Sequence, residues 1–296
     1  MIRPPCKIAL RQVQRRVESD TMFASENALG RKDVTRTKLE SGGSLPLDTN
    51  LNYEAIIEPM QVDVVEAIHR GDVSALGNFL RENPAAARAR ADGQRTLLHI
   101  ATDWPGHFPN VAETIKLLAE HGADLNAPFL GRHAETPLHW AASSDDLSAL
   151  DALLDLGADF ESVGSVIGGG TPLSDAVAFG QWKAARRLVE RGARSTLWQS
   201  AALGLMDRLG EHFVGDVIPI SEEVTNAFWC ACHGGQTKAA QFLLAHGADL
   251  NWIGHDGLTP LDAAIRNGNE ELVRWLRTEG GMSSKSVAVV RPDPPI

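Results

Sequence analysis

Cysteine is scarce in this chain. Three in 296 residues, Cys6, Cys230 and Cys232, cannot build a disulfide framework, and the last two stand too close for an ordinary bridge within a helix. A reducing compartment follows, and a cytoplasmic location is expected. No uninterrupted apolar run reaches the roughly 18 residues that a membrane-spanning helix needs, so no membrane partner is expected. Phosphate-loop chemistry is missing too, because Gly168 to Gly170 lack the lysine and following helix of a Walker motif. The string Cys230-Ala231-Cys232-His233 has no second ligand pair, and nothing pairs either thiol with a base and an orienting acid. The expectation is no catalytic residue, no cofactor and no metal; the two thiols read as structural.

Positive charge is short over most of the chain. The net charge is −10; residues 1–40 carry +4, residues 41–60 carry −3 and residues 282–296 carry +1, which leaves −12 on residues 61–281. Such a surface repels a phosphate backbone, so no nucleic-acid partner is expected. It favours encounter with a basic protein partner.

What the sequence does have is a repeated pattern. Thr259 to Gly281, TPLDAAIRNGNEELVRWLRTEGG, holds a capping threonine, a proline suited to the first helical position and Gly268 at a turn that calls for positive φ. Its second helix, about Asn269 to Thr278, lines up Leu272, Trp275 and Leu276 on one face. The spacing predicts a helix, a turn and a helix with an apolar face that must stack on copies of itself. Copies open at Thr136, Thr171 and Asn226, and in all four the distance from the first residue to the glycine of the GA or GG pair is 21.

The TPLH and HGADLN strings, recurring in phase over roughly residues 62–281, resemble the ankyrin-repeat family. The resemblance implies an all-α, curved solenoid of about seven helix-turn-helix repeats with outward hairpin fingers, and a role in protein recognition. It also implies that His99 and His139, at the histidine of TPLH, serve a hydrogen-bond network between neighbouring repeats. Ser174 and Asp262 are expected to substitute in part, whereas Trp198 and Trp229 are expected to break the network.

Individual repeats depart from the pattern. Val62 to Pro84 lacks the TPL opening and reads as an N-terminal cap, and Arg277, where the preceding repeat has Leu244, suits a solvent-facing C-terminal cap. The distance from Thr96 to Gly122 is 26 rather than 21, so WPGHFP forms an inserted turn around Trp104 to Asn110. Its two aromatics, Trp104 and Phe108, either tuck onto a neighbouring turn or join a binding surface. FESVGSVIGGG reads as a longer, mobile finger. The fifth repeat, aligned from Ser195 and with a second helix from about Met206 to Phe213, has no room for a finger before it and GDVIPISEEV in place of GAD.

The ends read as loose: a disordered leader and linker over residues 1–60 and a disordered tail over 282–296, around a repeat domain of residues 61–281. Leu10, Val13 and Val17 beside three arginines also fit a short basic amphipathic helix, and Met22 and Met60 are alternative starts.

The function expected is a non-enzymatic scaffold, monomeric, that binds a protein partner, preferentially basic, on its concave face and fingers. The alternative is a regulatory or inhibitory subunit that masks a partner enzyme. In the family, partners meet the finger tips and the exposed ends of the first helices. Carried over by position, this nominates Trp104, Phe108, Phe179, Leu203, His233 and Arg266 at helix ends and the inserted turn, and Arg132, His133, His255 and Asp256 on fingers. Phe179 and Leu203 are expected to stand open beside the missing finger, or else to cover each other.

Overall fold

A computed structural model of the chain describes residues 58–290. The leader and linker therefore lie outside the described residues except for positions 58–60, and so do residues 291–296 of the tail. Among the described residues there are helices and no strands.

The helices pair in chain order. They are α1 (Glu58–Arg70) with α2 (Val73–Glu82), α3 (Leu97–Ala101) with α4 (Val111–Glu120), α5 (Pro137–Ser143) with α6 (Leu147–Asp155), and α7 (Pro172–Ala178) with α8 (Trp182–Glu190). Then come α9 (Leu197–Leu203) with α10 (Met206–Glu211), α11 (Ser221–His233) with α12 (Thr237–Ala245), and α13 (Pro260–Asn267) with α14 (Glu270–Thr278). From α3 onward each pair packs internally and first helices pack on first helices, while second helices pack on one another from α2 through α8 and again between α10 and α12.

Side-chain size explains the layering. Ala141, Ala142, Ala176, Ala201, Ala231, Ala263 and Ala264 are fully buried in the first helices, where a methyl group lets neighbouring backbones come close. Leu118, Leu150, Leu153, Leu188, Leu243, Leu272 and Leu276 project from the second helices into the gap and are wholly buried. Each such leucine contributes about 2 kcal/mol of transfer free energy. A pair standing alone would leave this face open to water, so the pairs must stack.

Polar stitching sets the spacing between pairs. Asn126 Oδ1 accepts from the Asp159 amide at 2.8 Å, Glu161 Oε1 from the Arg194 amide at 2.8 Å, and Asn251 Oδ1 from the Met282 amide at 2.7 Å. These acceptors follow the GAD strings at the same offset, so one fixed position ties each second-helix end to the next. On the turn side, Asn110 Nδ2 donates to the Gly71 carbonyl at 2.9 Å and Gln181 Nε2 to the Ser143 carbonyl at 2.9 Å. Gly71, at φ +66°, lies so close to Pro109 that a Cβ would meet its carbonyl oxygen at 2.1 Å.

Several expectations change. Thr196, not Ser195, precedes α9, so Gln199 rather than Trp198 takes the third helical position. Gly204 thus follows its capping threonine by eight positions, against nine from Thr171 to Gly180, and α10 ends at Glu211 rather than near Phe213. The sixth pair begins at Ser221, before Asn226, so its first helix is 13 residues long. The finger after α6 is anchored: Ser165 is 1% exposed and its hydroxyl donates to Asp175 Oδ1 at 2.6 Å, while the Gly164 amide donates to Gly170 at 3.1 Å. Past Gly281, where a loose tail was expected, the chain forms α15 (Ser284–Val290), with Val287 only 3% exposed. Arg277 is exposed as expected.

Candidate functional site

The nominated residues occupy the edge formed by fingers and first-helix ends, and the network beneath that edge positions them. At the start of α3 the Thr96 amide donates to His99 Nδ1 at 3.3 Å, so that nitrogen is an acceptor and Nε2 carries the hydrogen. Nε2 donates to the Glu135 carbonyl of the next finger at 3.0 Å. His139 repeats the arrangement, taking the Thr136 amide at 3.1 Å and donating to the Gly170 carbonyl at 3.3 Å. Burial pushes His99 down to about 4 and lowers His139, so both are neutral near neutral pH, as a donor–acceptor pair of ring nitrogens requires.

Trp229 does not break this network. Its indole Nε1 donates to the Leu258 carbonyl at 2.8 Å, and Leu258 precedes Thr259 just as Glu135 and Gly170 precede Thr136 and Thr171. An indole reaches as far as an imidazole and has the needed donor. The two substitutes expected to act in part do so. Ser174 Oγ accepts from Gln199 Nε2 at 3.0 Å, and Asp262 accepts the Thr259 amide at 3.3 Å and the Ser284 amide at 2.7 Å.

At one end of the edge, the inserted turn splits its aromatics. Phe108 tucks down, its ring stacked on His69 with centroids 4.5 Å apart, whereas Trp104 stays 38% exposed. The turn also grips the next pair, for the His107 amide donates to Asp146 Oδ2 at 2.6 Å and its Nε2 donates to the Ser144 carbonyl at 3.1 Å. On the following finger Arg132 is exposed and His133 half-buried.

At the other end, four nominated residues converge. Arg266 donates to Asp256 Oδ2 at 2.6 Å and to His233 Nδ1 at 3.2 Å, and its guanidinium lies 5.6 Å from the centre of the Trp229 ring. His233 Nε2 donates to the Val177 carbonyl at 3.3 Å. The His233 ring sits between Trp182 and Trp229, at 5.0 and 5.4 Å. His255 packs edge-on against Trp229 at 5.0 Å and binds Asn226 Oδ1 at 2.8 Å, and Trp252 follows at 5.8 Å. Burial, and then the nearby guanidinium, hold His233 down to about 4.

The middle of the edge differs from the expectation. Phe179 is half-buried and lies outside the core cluster, but Leu203 is only 3% exposed and belongs to the core. Leu203 is therefore not an open anchor, and a direct partner contact is assigned to it no longer. The end of α11 lies across this part of α9. A Cβ on Gly234 would meet the Ala202 carbonyl oxygen at 1.9 Å, and His233 reaches past α9 to α7.

The tryptophans Trp140, Trp182, Trp229 and Trp252 were missed as edge residues. Their signal was faint: Trp140, Trp229 and Trp252 lie within a few residues of a repeat start or a GAD string, and Trp182 opens α8. Cys230 and Cys232 are buried, and burial pushes Cys230 up to about 12 and Cys232 higher still, as suits apolar fillers. Among the described residues, no three His, Cys, Asp or Glu side chains are grouped to hold a metal ion, and no helix is long and apolar enough to cross a membrane.

A family model described as ankyrin repeats (3 copies) matches residues 64–163 and 205–285. Ankyrin repeat and KH domain-containing protein mask-1 of Caenorhabditis elegans is 29% identical over 169 residues, which is 57% of this chain and 6% of that protein. Rabankyrin-5 of Homo sapiens is 29% identical over 191 residues, 64% of this chain and 14% of that protein. The chain thus matches only a small part of the length of these relatives. The crystal structure of the human ASB11 ankyrin repeat domain is similar at 19% identity and a TM-score of 0.44, over 72% of this chain and 96% of that one.

Proposed function

The chain belongs to the ankyrin-repeat family, whose repeats form protein-interaction domains, and from that premise we propose that it is a monomeric, cytoplasmic, non-enzymatic scaffold that holds a protein partner along its concave edge. The observation that carries this reading is Phe179: a half-buried phenyl ring outside the core cluster, between exposed Trp104 and Arg132 on one side and the Trp-His-Arg cluster on the other. An aromatic ring with polar neighbours on both flanks suits an interface with a dry centre and a wet rim. The −12 carried by residues 61–281 favours a basic partner through encounter rate.

The experiment is affinity capture with the full chain from its native cell, mass spectrometry to identify the partner, and binding measured for the parent and for Phe179→Ala. The variant should melt as the parent does and bind about tenfold more weakly or worse, the usual cost of truncating an aromatic anchor. Equal binding by a variant with unchanged melting would remove Phe179, and the concave centre with it, from the site.

A further inference from the structure

In the regular pairs the chain leaves the second helix through a GA pair whose alanine is buried: Ala158 is 5%, Ala193 1% and Ala248 8% exposed. The fifth pair has no such alanine. After α10 the chain runs as His212-Phe213-Val214-Gly215-Asp216-Val217-Ile218-Pro219-Ile220 into α11, and four of its apolar side chains face water. Val214 is 79%, Val217 87%, Ile218 64% and Ile220 61% exposed. Single exposed apolar residues are ordinary, but four within seven positions on one loop mark a contact surface.

The loop is pinned at both ends. Phe213 packs edge-on against Phe242 with centroids 5.1 Å apart and lies 4.5 Å from the His246 ring, which ties the start of the loop to α12. At the far end Glu223 Oε2 accepts the Ile220 amide at 3.0 Å, capping α11. A fixed base lowers the ordering cost of binding. Around the apolar side chains stand Glu211, Asp216, Glu222 and Glu223, all exposed, with no lysine or arginine between positions 211 and 223. An apolar centre with acidic surroundings selects for one chemistry.

We propose that Val214–Ile220 is a second docking surface, distinct from Phe179, for a basic segment of a partner protein that presents apolar side chains on one face. The apolar face covers Val217 and Ile218, and its lysines or arginines pair with Asp216 and Glu222. Charge complementarity steers the encounter, and burial of the four side chains holds the complex.

The test uses the full chain and a fluorescein-labelled peptide of about 14 residues, with leucines on one helical face and lysines elsewhere. Anisotropy should report saturable binding. Val217→Ser combined with Ile218→Ser should weaken it by about tenfold or more. Asp216→Asn combined with Glu222→Gln should weaken it less and flatten its dependence on salt. All substituted side chains are exposed, so both variants should melt with the parent, and Phe179→Ala should bind the peptide unchanged, which separates this surface from the site at Phe179. A scrambled peptide of the same composition that binds equally well would reduce the effect to bulk charge and overturn the proposal. So would equal binding by the serine variant, or no binding by the parent. Sedimentation showing a dimer that the serine variant loses would make a second copy the occupant, and would overturn it too.

Discussion

Trp229 donates its indole hydrogen to the Leu258 carbonyl at 2.8 Å, and so joins the sixth pair to the seventh by the bond that His99 and His139 make earlier in the chain. The indole is itself covered: Trp229 is 3% exposed, with Arg266 over its face.

Trp229→Phe keeps an aromatic ring and removes the donor. It should cost about 1 to 3 kcal/mol, the penalty of leaving a carbonyl in a covered site without its partner. Urea denaturation of the full chain checks this, with Trp275→Phe as a control for the lost fluorophore. A variant as stable as the parent would mean that the Leu258 carbonyl finds water instead.

Acid should loosen the solenoid before its carboxylates titrate. His99 and His233 are held at about 4 in the folded chain against 6.5 when unfolded. Their neutral forms therefore contribute stability that is complete above 6.5 and is lost as pH falls from 6.5 to about 4. For His99, fully buried, the loss approaches about 3 kcal/mol. His139 is lowered by burial and adds in the same direction. Asp262, lowered by its bonds to Ser284 and Thr259 against the cost of burial, loses its contribution only below 3.8, while Asp103, raised by burial, opposes the trend above that value. Urea midpoints measured from pH 7 down to pH 4.5 should fall steadily, and His99→Gln should flatten the slope. A flat profile would show that the rings titrate in the folded chain as they do in the unfolded one.

Leu203→Ala and Phe179→Ala should part company. Leu203 lies in the core, and its truncation should cost about 2 to 5 kcal/mol. Phe179→Ala should change stability by less than about 1 kcal/mol, as partly exposed substitutions commonly do. Thermal melts of both variants decide it. A destabilised Phe179→Ala would reveal packing that supports the turn after α7.

Within the fifth pair, amide exchange should be uneven. Helix α10 has six residues, one of them buried, and no side-chain cap, whereas α9 is buried from Gln199 through Leu203 and packs closely on α11. Exchange should be fast from Met206 to Ile220 and slow from Ser200 to Leu203. Protection of α10 equal to that of α9 would count against a weak fifth pair.

The family resemblance implied the bonding role of His99 and His139, while the sequence alone determined the all-α stacked architecture, the helix-pair spacing, the place of the inserted turn and the irregular fifth unit. These are local properties: a capping threonine, a proline at the first helical position, a glycine in a left-handed turn and leucines at helical spacing act within one pair, and repetition adds the rest. The tertiary structure alone decided where side chains go when a pair departs from its pattern. Leu203, at the end of α9, went into the core, and the end of the longer α11 laid Gly234 over Ala202. Trp229 could replace a histidine only because the Leu258 carbonyl stands at the reach of an indole. Serine and valine in the tail became a helix because the end of the last pair offered Asp262 and Asn251 as acceptors. Each of these outcomes depends on the distance between two pairs, a quantity that no single repeat encodes.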